Sequence, residues 1–172
     1  MPRIEKTEAL ARVEAERHRL PASFEGCVMC ALARGFPADT ERLAESPRAL
    51  AVLDRFAARR GHVLVVLRRH VESIAALSWD EYAEVQKLAW EATRALEHVL
   101  APRRTFVAAL GAATTRVNSF PHHHVHVIPI EAGDTQDRPA QVLTWELGVY
   151  VYEEGEAKAL GEALRGSWPA RE

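Results

Sequence analysis

The sequence predicts an α+β fold with a mainly antiparallel sheet, and three observations lead to it. Two β-rich runs, 48–54 and 61–67, are joined by a polar link that ends in Gly61. A long amphipathic run follows, opened by Ser78-Trp79-Asp80-Glu81, the spacing of a helix capping box. Two more β-rich runs, 105–111 and 124–130, come later without the strict βαβ alternation of a parallel sheet.

Taken in order, residues 1–20 are charge-rich and helix-forming, with Leu10, Val13, Arg17 and Leu20 at loose helical spacing, which predicts a peripheral helix. Residues 21–47 look irregular around "CVMCAL", with Gly35 and Pro37 marking a turn. "RALAVLD" and "GHVLVVL" read as an antiparallel strand pair. Behind the capping box, Tyr82, Val85, Leu88, Ala92, Leu96 and Val99 recur at helical spacing until Pro102 stops the run. "TFVAALG" and "HVHVIPI" are the next strands, and 131–141 reads as a polar loop. A last amphipathic piece, 153–164, is read as helical despite Gly155 and Gly161. No repeat or interdomain linker interrupts the chain, so residues 1–172 are read as a single domain, with 136–172 as a C-terminal extension.

At 172 residues such a domain can bury a substantial core without disulfides. A net charge of −2 carries no footprint for a nucleic-acid backbone. No apolar run approaches membrane-spanning length and the N-terminus lacks a signal-peptide core, so no membrane partner is expected and the cytoplasm is the expected compartment. In that reducing setting Cys27 and Cys30 suggest a metal or redox role before a structural disulfide. A redox reading wants a thioredoxin-like βαβ frame, which is missing, and a metal reading needs two further ligands.

Four of the eight histidines fall within 122–126. The run is internal, interrupted by Val125 and continued by a β-rich segment, which argues against a tag. Residues two apart on a strand share a face, so His122, His124 and His126 should point one way, about 6.5–7 Å apart, and His123 the other. Metal binding by His124 and His126 alone would leave an incomplete site. The alternative is nucleophilic: a neutral imidazole attacks phosphorus while its second nitrogen donates to a fixed acceptor, and a neighbouring histidine assists the leaving group.

With its neighbours, this cluster resembles the histidine triad (HIT) family, whose signature H-φ-H-φ-H-φ-φ is matched by His122-His123-His124-Val125-His126-Val127-Ile128, with His123 at one φ position. The segment 52–77 resembles the family's strand–turn–strand around "GH-x-LV", and "CVMCALARG", 27–35, the C-x-x-C opening of bacterial members. The resemblance implies a HIT-like fold: a five- to six-stranded, mainly antiparallel sheet packed with one long and one or two shorter helices. It also implies a nucleotide hydrolase or nucleotidyl transferase acting on a phosphoanhydride, phosphoramidate or phosphoester. In that reading His124 is the nucleophile and forms a nucleotidyl intermediate. His126 contacts the phosphate and helps the leaving group, and Asp54 holds ribose hydroxyls. Asn118 and Ser119 supply donors to the phosphate or leaving group, and Val28, Met29, Leu32 and Val52 form an apolar base slot. Each of those four reads equally as an ordinary core residue. Asn118 and Val117 depart from the usual Gly-Gln, which motivates the rival reading of a zinc-stabilised, nucleotide-binding scaffold with little turnover.

The resemblance also supplies the missing metal ligands. His70 and His122 match the histidines of zinc-containing relatives, completing Cys27, Cys30, His70 and His122 as a closed, structural Zn²⁺ site, with no catalytic metal required. A nucleotide-type substrate and a homodimer with an extended sheet are the implied partners. Of the other histidines, His62 reads as structural, with a ring nitrogen bonded to backbone. His18 and His98 read as solvated, and His123 as buried on the opposite sheet face or at a subunit contact, with a protein partner for its ring nitrogen. Arg68 and Arg69 read as a solvated pair, and Trp145 either caps the active site or simply packs.

Overall fold

The computed structural model describes residues 3–111 and 120–170. Its centre is a five-stranded, fully antiparallel sheet in the order β2-β3-β4-β6-β5. The strands are β2 (Arg42–Glu45), β3 (Ala49–Leu53), β4 (Val63–Leu67), β5 (Arg104–Ala108) and β6 (His124–Ile130). Pleating sends alternate side chains to opposite faces, and the sequence uses both. Leu53, Val63, Val65, Val125 and Val127 face the long helix α3 (Trp79–Leu100) and pack on its Val85, Leu88, Ala92 and Leu96. On the other face Leu50, Val52, Leu64 and Val66 pack under Met29 and Leu32 of a short helix, α2 (Val28–Ala33).

The α3 start is the predicted capping box. The Glu81 amide donates to Ser78 Oγ at 3.2 Å, and the Ser78 amide donates to the Glu81 carboxylate at 2.9 Å. Arg69 adds two bonds to that carboxylate, at 2.7 and 2.8 Å, and holds Glu81 down to about 2, well below the usual carboxylate range. Arg68 donates to the carbonyls of Ala33 and Ser46 and pairs with Glu45. The two arginines are therefore structural ties as well as surface charges: Arg69 stays exposed, as the solvated-pair expectation had it, while Arg68 is half-buried.

The helix ends on Ala101, whose φ of 45° places an L-residue in the left-handed region. That conformation costs a residue with a Cβ about 1 kcal/mol. Ala101→Gly should raise stability by about 0.5–1 kcal/mol, read as a higher urea midpoint at unchanged slope; a lower midpoint would contradict it. Gly61 has a further reason to lack a Cβ. Its φ of +84° strains any residue with a Cβ, and a Cβ there would lie 2.6 Å from Leu100 Cδ1, which would have to move aside.

Three expectations change. Residues 21–47, read as irregular, contain α2 and the edge strand β2, the latter paired with β3 through a register shift. The loop 131–141 gives way at Pro139 to a short helix, α4 (Pro139–Leu143). A second sheet joins β1 (Arg3–Ile4) to β7 (Val149–Tyr150), clasping the N-terminus to the C-terminal extension. The predicted peripheral and final helices are α1 (Lys6–Arg19) and α5 (Glu156–Gly166). Among the described residues no helix is long and apolar enough to cross a membrane.

Candidate active site and metal centre

Register alone builds most of the site. On the α2 face Val52 lies opposite Leu64, and Leu64 opposite His126. Val66 likewise lies opposite His124. A cleft of about 480 Å³ opens over these rows, and Val28, Met29, Leu32, Val52, Asp54, His124 and His126 are all among its lining residues. Every described nucleotide-binding and catalytic candidate from the sequence thus reaches one cavity. Asn118 and Ser119 lie outside the described residues.

His124 is buried, and its Nδ1 lies 2.7 Å from the His122 carbonyl. A carbonyl only accepts, so Nδ1 carries the proton and Nε2 keeps a free lone pair. Burial lowers the His124 pKa and lowers that of His126 well below the ordinary value, so both rings are neutral near pH 7. Their centroids are 4.8 Å apart, edge to face.

His62 belongs to this site, although its sequence position gave it only a structural role. Its Nδ1 accepts the Ala58 amide at 3.1 Å, the expected backbone bond, and its Nε2 lies 3.0 Å from His126 Nδ1. With the Ala58 proton pointing at Nδ1, His62 Nε2 must donate, which leaves the His126 proton on Nε2. That Nε2 is buried with no partner among the described residues. It is an unused donor beside the His124 lone pair. Asp54 Oδ2 sits 3.0 Å from His62 Nδ1, and Oδ1 accepts the Phe56 amide at 2.9 Å. The carboxylate still has lone pairs to offer a ligand. Cross-strand parity was the signal for His62: it shares a face with Leu64, which lies opposite His126.

The first histidine of the run behaves differently. His122 precedes β6 and makes its ring contact with His70, so the three alternate imidazoles do not converge on one point. His122 Nε2 lies 2.6 Å from the Leu67 carbonyl, which fixes the proton there and leaves Nδ1 free. That Nδ1 is 3.5 Å from Cys27 Sγ, 3.4 Å from Cys30 Sγ and 3.2 Å from His70 Nδ1. A tetrahedral ion with metal–sulfur and metal–nitrogen bonds of about 2.3 and 2.0 Å sets ligand edges of roughly 3.3–3.8 Å. The four donors, all within 4.8 Å of one another, fit that shape. Burial pushes the Cys30 thiol up to about 11, helped by Cys27, and brings His122 down to about 4. The imidazole is ready to ligate, whereas the thiolates call for a nearby cation.

His123 meets its expectation in part. It is buried, but its Nε2 has no partner among the described residues. His18 and His98 are exposed as expected. Trp145 lines the cleft with φ 59°, its ring 6.4 Å from Phe56, and it also packs against the cluster of Ala58, Ile128, Ile130 and Val142.

Residues 37–133 match the HIT domain family model. The chain belongs to the HIT domain family. This HIT domain chain is 27% identical over 139 residues to an uncharacterized HIT-like protein of Mycobacterium tuberculosis, covering 81% of itself and 90% of that relative. An uncharacterized HIT-like protein of Mycoplasma genitalium is 28% identical over 104 residues, 60% of this chain and 72% of the other. Among solved structures it resembles a Zn-bound histidine triad family protein from Mycobacterium smegmatis (TM-score 0.64, 22% identity, 82% and 91% of the two chains). A hypothetical histidine triad nucleotide-binding protein from Sulfolobus tokodaii gives TM-score 0.63 at 21% identity over the same shares. At such identities the structures support the shared fold.

Proposed function

We propose that the protein is a nucleotide hydrolase or nucleotidyl transferase that works through a covalent intermediate on His124. The observation that carries this reading is the tautomer set by the His122 carbonyl, 2.7 Å from His124 Nδ1, which frees Nε2 toward a cleft shared with Asp54 and an apolar slot. The base lies between Val28, Met29, Leu32 and Val52, and Asp54 accepts from the ribose hydroxyls. His124 Nε2 attacks the α-phosphorus, and the bond to the leaving group breaks with its electron pair on the leaving atom. His126 Nε2–H donates a hydrogen bond to a phosphoryl oxygen, and where the leaving atom requires a proton, solvent in the open cleft supplies it. Asn118 and Ser119 add donors on the leaving-group side. Water then cleaves the nitrogen–phosphorus bond, releases a nucleoside monophosphate and regenerates neutral His124.

Zinc is the ion that the Cys₂His₂ set fits best, with a structural role: four protein donors leave no open position. The partner is a second copy of the chain, adding to the sheet across the outer edge of β5, where Val107 is 49% exposed. The expected compartment is the cytoplasm.

Mixing with diadenosine tetraphosphate or adenosine 5′-phosphoramidate, quenched in alkaline denaturant because a nitrogen–phosphorus bond to imidazole hydrolyses in acid, followed by peptide mass spectrometry, tests the chemistry. A nucleotidyl adduct on the peptide containing His124 is expected. Monophosphate release with no adduct at any quench time would mean direct attack by water and would overturn the covalent mechanism.

A further inference from the structure

At the outer edge of the sheet the main cleft adjoins a second cavity. It holds about 320 Å³ and shares Leu32, Pro37, Thr40 and Val52 with the cleft. Helix α1 lines the main cleft through Leu10 and Val13 but contributes nothing to this one. Strand register puts the two cavities in line. His126 lies opposite Leu64, Leu64 opposite Val52, and Val52 opposite Arg42 of the edge strand β2. Residues directly opposite one another share a face, so these four form one row under α2. Three strand spacings, about 14 Å, separate its ends. The row starts at the phosphate end of the site and finishes at a guanidinium.

Arg42 is exposed, yet its guanidinium is laid over Gly35, just past the end of α2, where a Cβ would collide with Nη2. Both residues line the second cavity. The acids nearby are already paired. Glu41 accepts from Arg165 at 2.8 Å, and Arg165 also donates to the Arg42 carbonyl at 2.8 Å. Asp39 pairs with Arg55 at 2.8 Å. No carboxylate lines the cavity, and no ion pair or hydrogen bond holds the Arg42 guanidinium among the described residues. One positive charge is left over. Thr40, common to both cavities, has a covered hydroxyl with no hydrogen-bond partner among the described residues. Rotation about its χ1 offers that hydroxyl to a ligand without breaking a bond.

We propose that this cavity is an anion subsite beyond the base, and that the nucleotides bound best carry a carboxylate on the base edge remote from the sugar. This rests on the reading of the apolar slot as the base site. With the phosphate held at β6 and the base over Val52 of β3, a nucleotide runs outward across the sheet. The next strand in that direction is β2, with Arg42. An unsubstituted base ends against Leu32 and Val52 and leaves the guanidinium to water. A carboxylate carried a few bonds further meets it, two oxygens to two N–H groups. A neutral or cationic substituent gains nothing there.

Calorimetric titration of the full chain with AMP and with adenylosuccinate, which is AMP carrying succinate on its exocyclic nitrogen, tests the assignment. Binding alone is read, so the chemistry at His124 does not enter. Adenylosuccinate should bind wild type about tenfold more tightly than AMP, the scale of one charged contact. In Arg42→Gln that advantage should vanish while AMP affinity stays within about twofold, and Arg42→Lys should restore part of it. Equal affinities for the two nucleotides in wild type, or an advantage that survives Arg42→Gln, would overturn the proposal. Free succinate at the same concentration should not displace adenylosuccinate; displacement would mean a site for free dicarboxylates and would break the link to the base. AMP binding without the preference defeats the subsite alone. If neither nucleotide bound, the reading of the slot as a base site would fail, and the subsite with it.

Discussion

Replacing His124 with glutamine is expected to lower the single-turnover rate of monophosphate release by about four orders of magnitude. Removing the nucleophile of a covalent mechanism costs at least that, because the residual rate comes only from binding and fixed donors. Glutamine suits the test because its amide can still donate toward the His122 carbonyl, which now takes the His124 Nδ1 proton at 2.7 Å. Local geometry is thereby kept while the lone pair at Nε2 is lost. Affinity for a nucleoside monophosphate should stay within about threefold, because the apolar slot and Asp54 are untouched. A variant retaining more than a few per cent of the wild-type rate would show that water attacks phosphorus directly. His62→Asn should sit between the two. It leaves the nucleophile in place but removes the ring that orients His126 through the 3.0 Å nitrogen–nitrogen contact.

What could be read from the sequence, and what could not, follows from how local each signal is. The α3 helix was legible because its start is written in four consecutive residues, Ser78 to Glu81, and its buried face in a 3.6-residue period. The β3–β4 pair was legible for a similar reason, since both strands are continuous apolar runs separated by the polar link 54–62. Helix α2 was hidden. Its six residues are too few to show a period, and it is stabilised by packing Met29 and Leu32 against a sheet formed later in the chain. The edge strand β2 is four residues long and carries a register shift, which erases strict alternation. In the site, His124, His126 and the four metal donors were recognisable from motifs. The role of His62 was not, because it depends on β4 pairing with β6 across some sixty residues of chain. The lining by α1 depends on the β1–β7 clasp joining the two ends of the fold, for which two-residue strands give no sequence signal.

Removing the metal should be the largest perturbation of stability. Treating the metal-loaded protein with a strong chelator is expected to lower Tm by about 6–12 °C, corresponding to roughly 3 kcal/mol for a chain of this length. The four donors come from three separate stretches of chain: Cys27 at the N-cap of α2 and Cys30 within it, His70 in the segment after β4, and His122 just ahead of the histidine strand. Without the ion, two half-buried thiols and two imidazoles crowd within 4.8 Å, and the Cys30 thiol sits near 11 as an unionised group with weak partners. Cys27→Ser should show the lowered Tm from the start and no further change with chelator, whereas wild type should recover when zinc is returned. An unchanged Tm, or bound zinc well below one ion per chain, would contradict the site. The effect on activity separates this centre from the nucleophile. Since α2 carries Met29 and Leu32 into the apolar slot, loosening it should raise KM more than it lowers kcat. His124 would keep part of its rigidity through the β4–β6 ladder, where Val66 pairs with it whether or not the ion is bound. A loss confined to kcat would instead mean that the ion's main effect runs through His122, whose carbonyl orients the attacking ring.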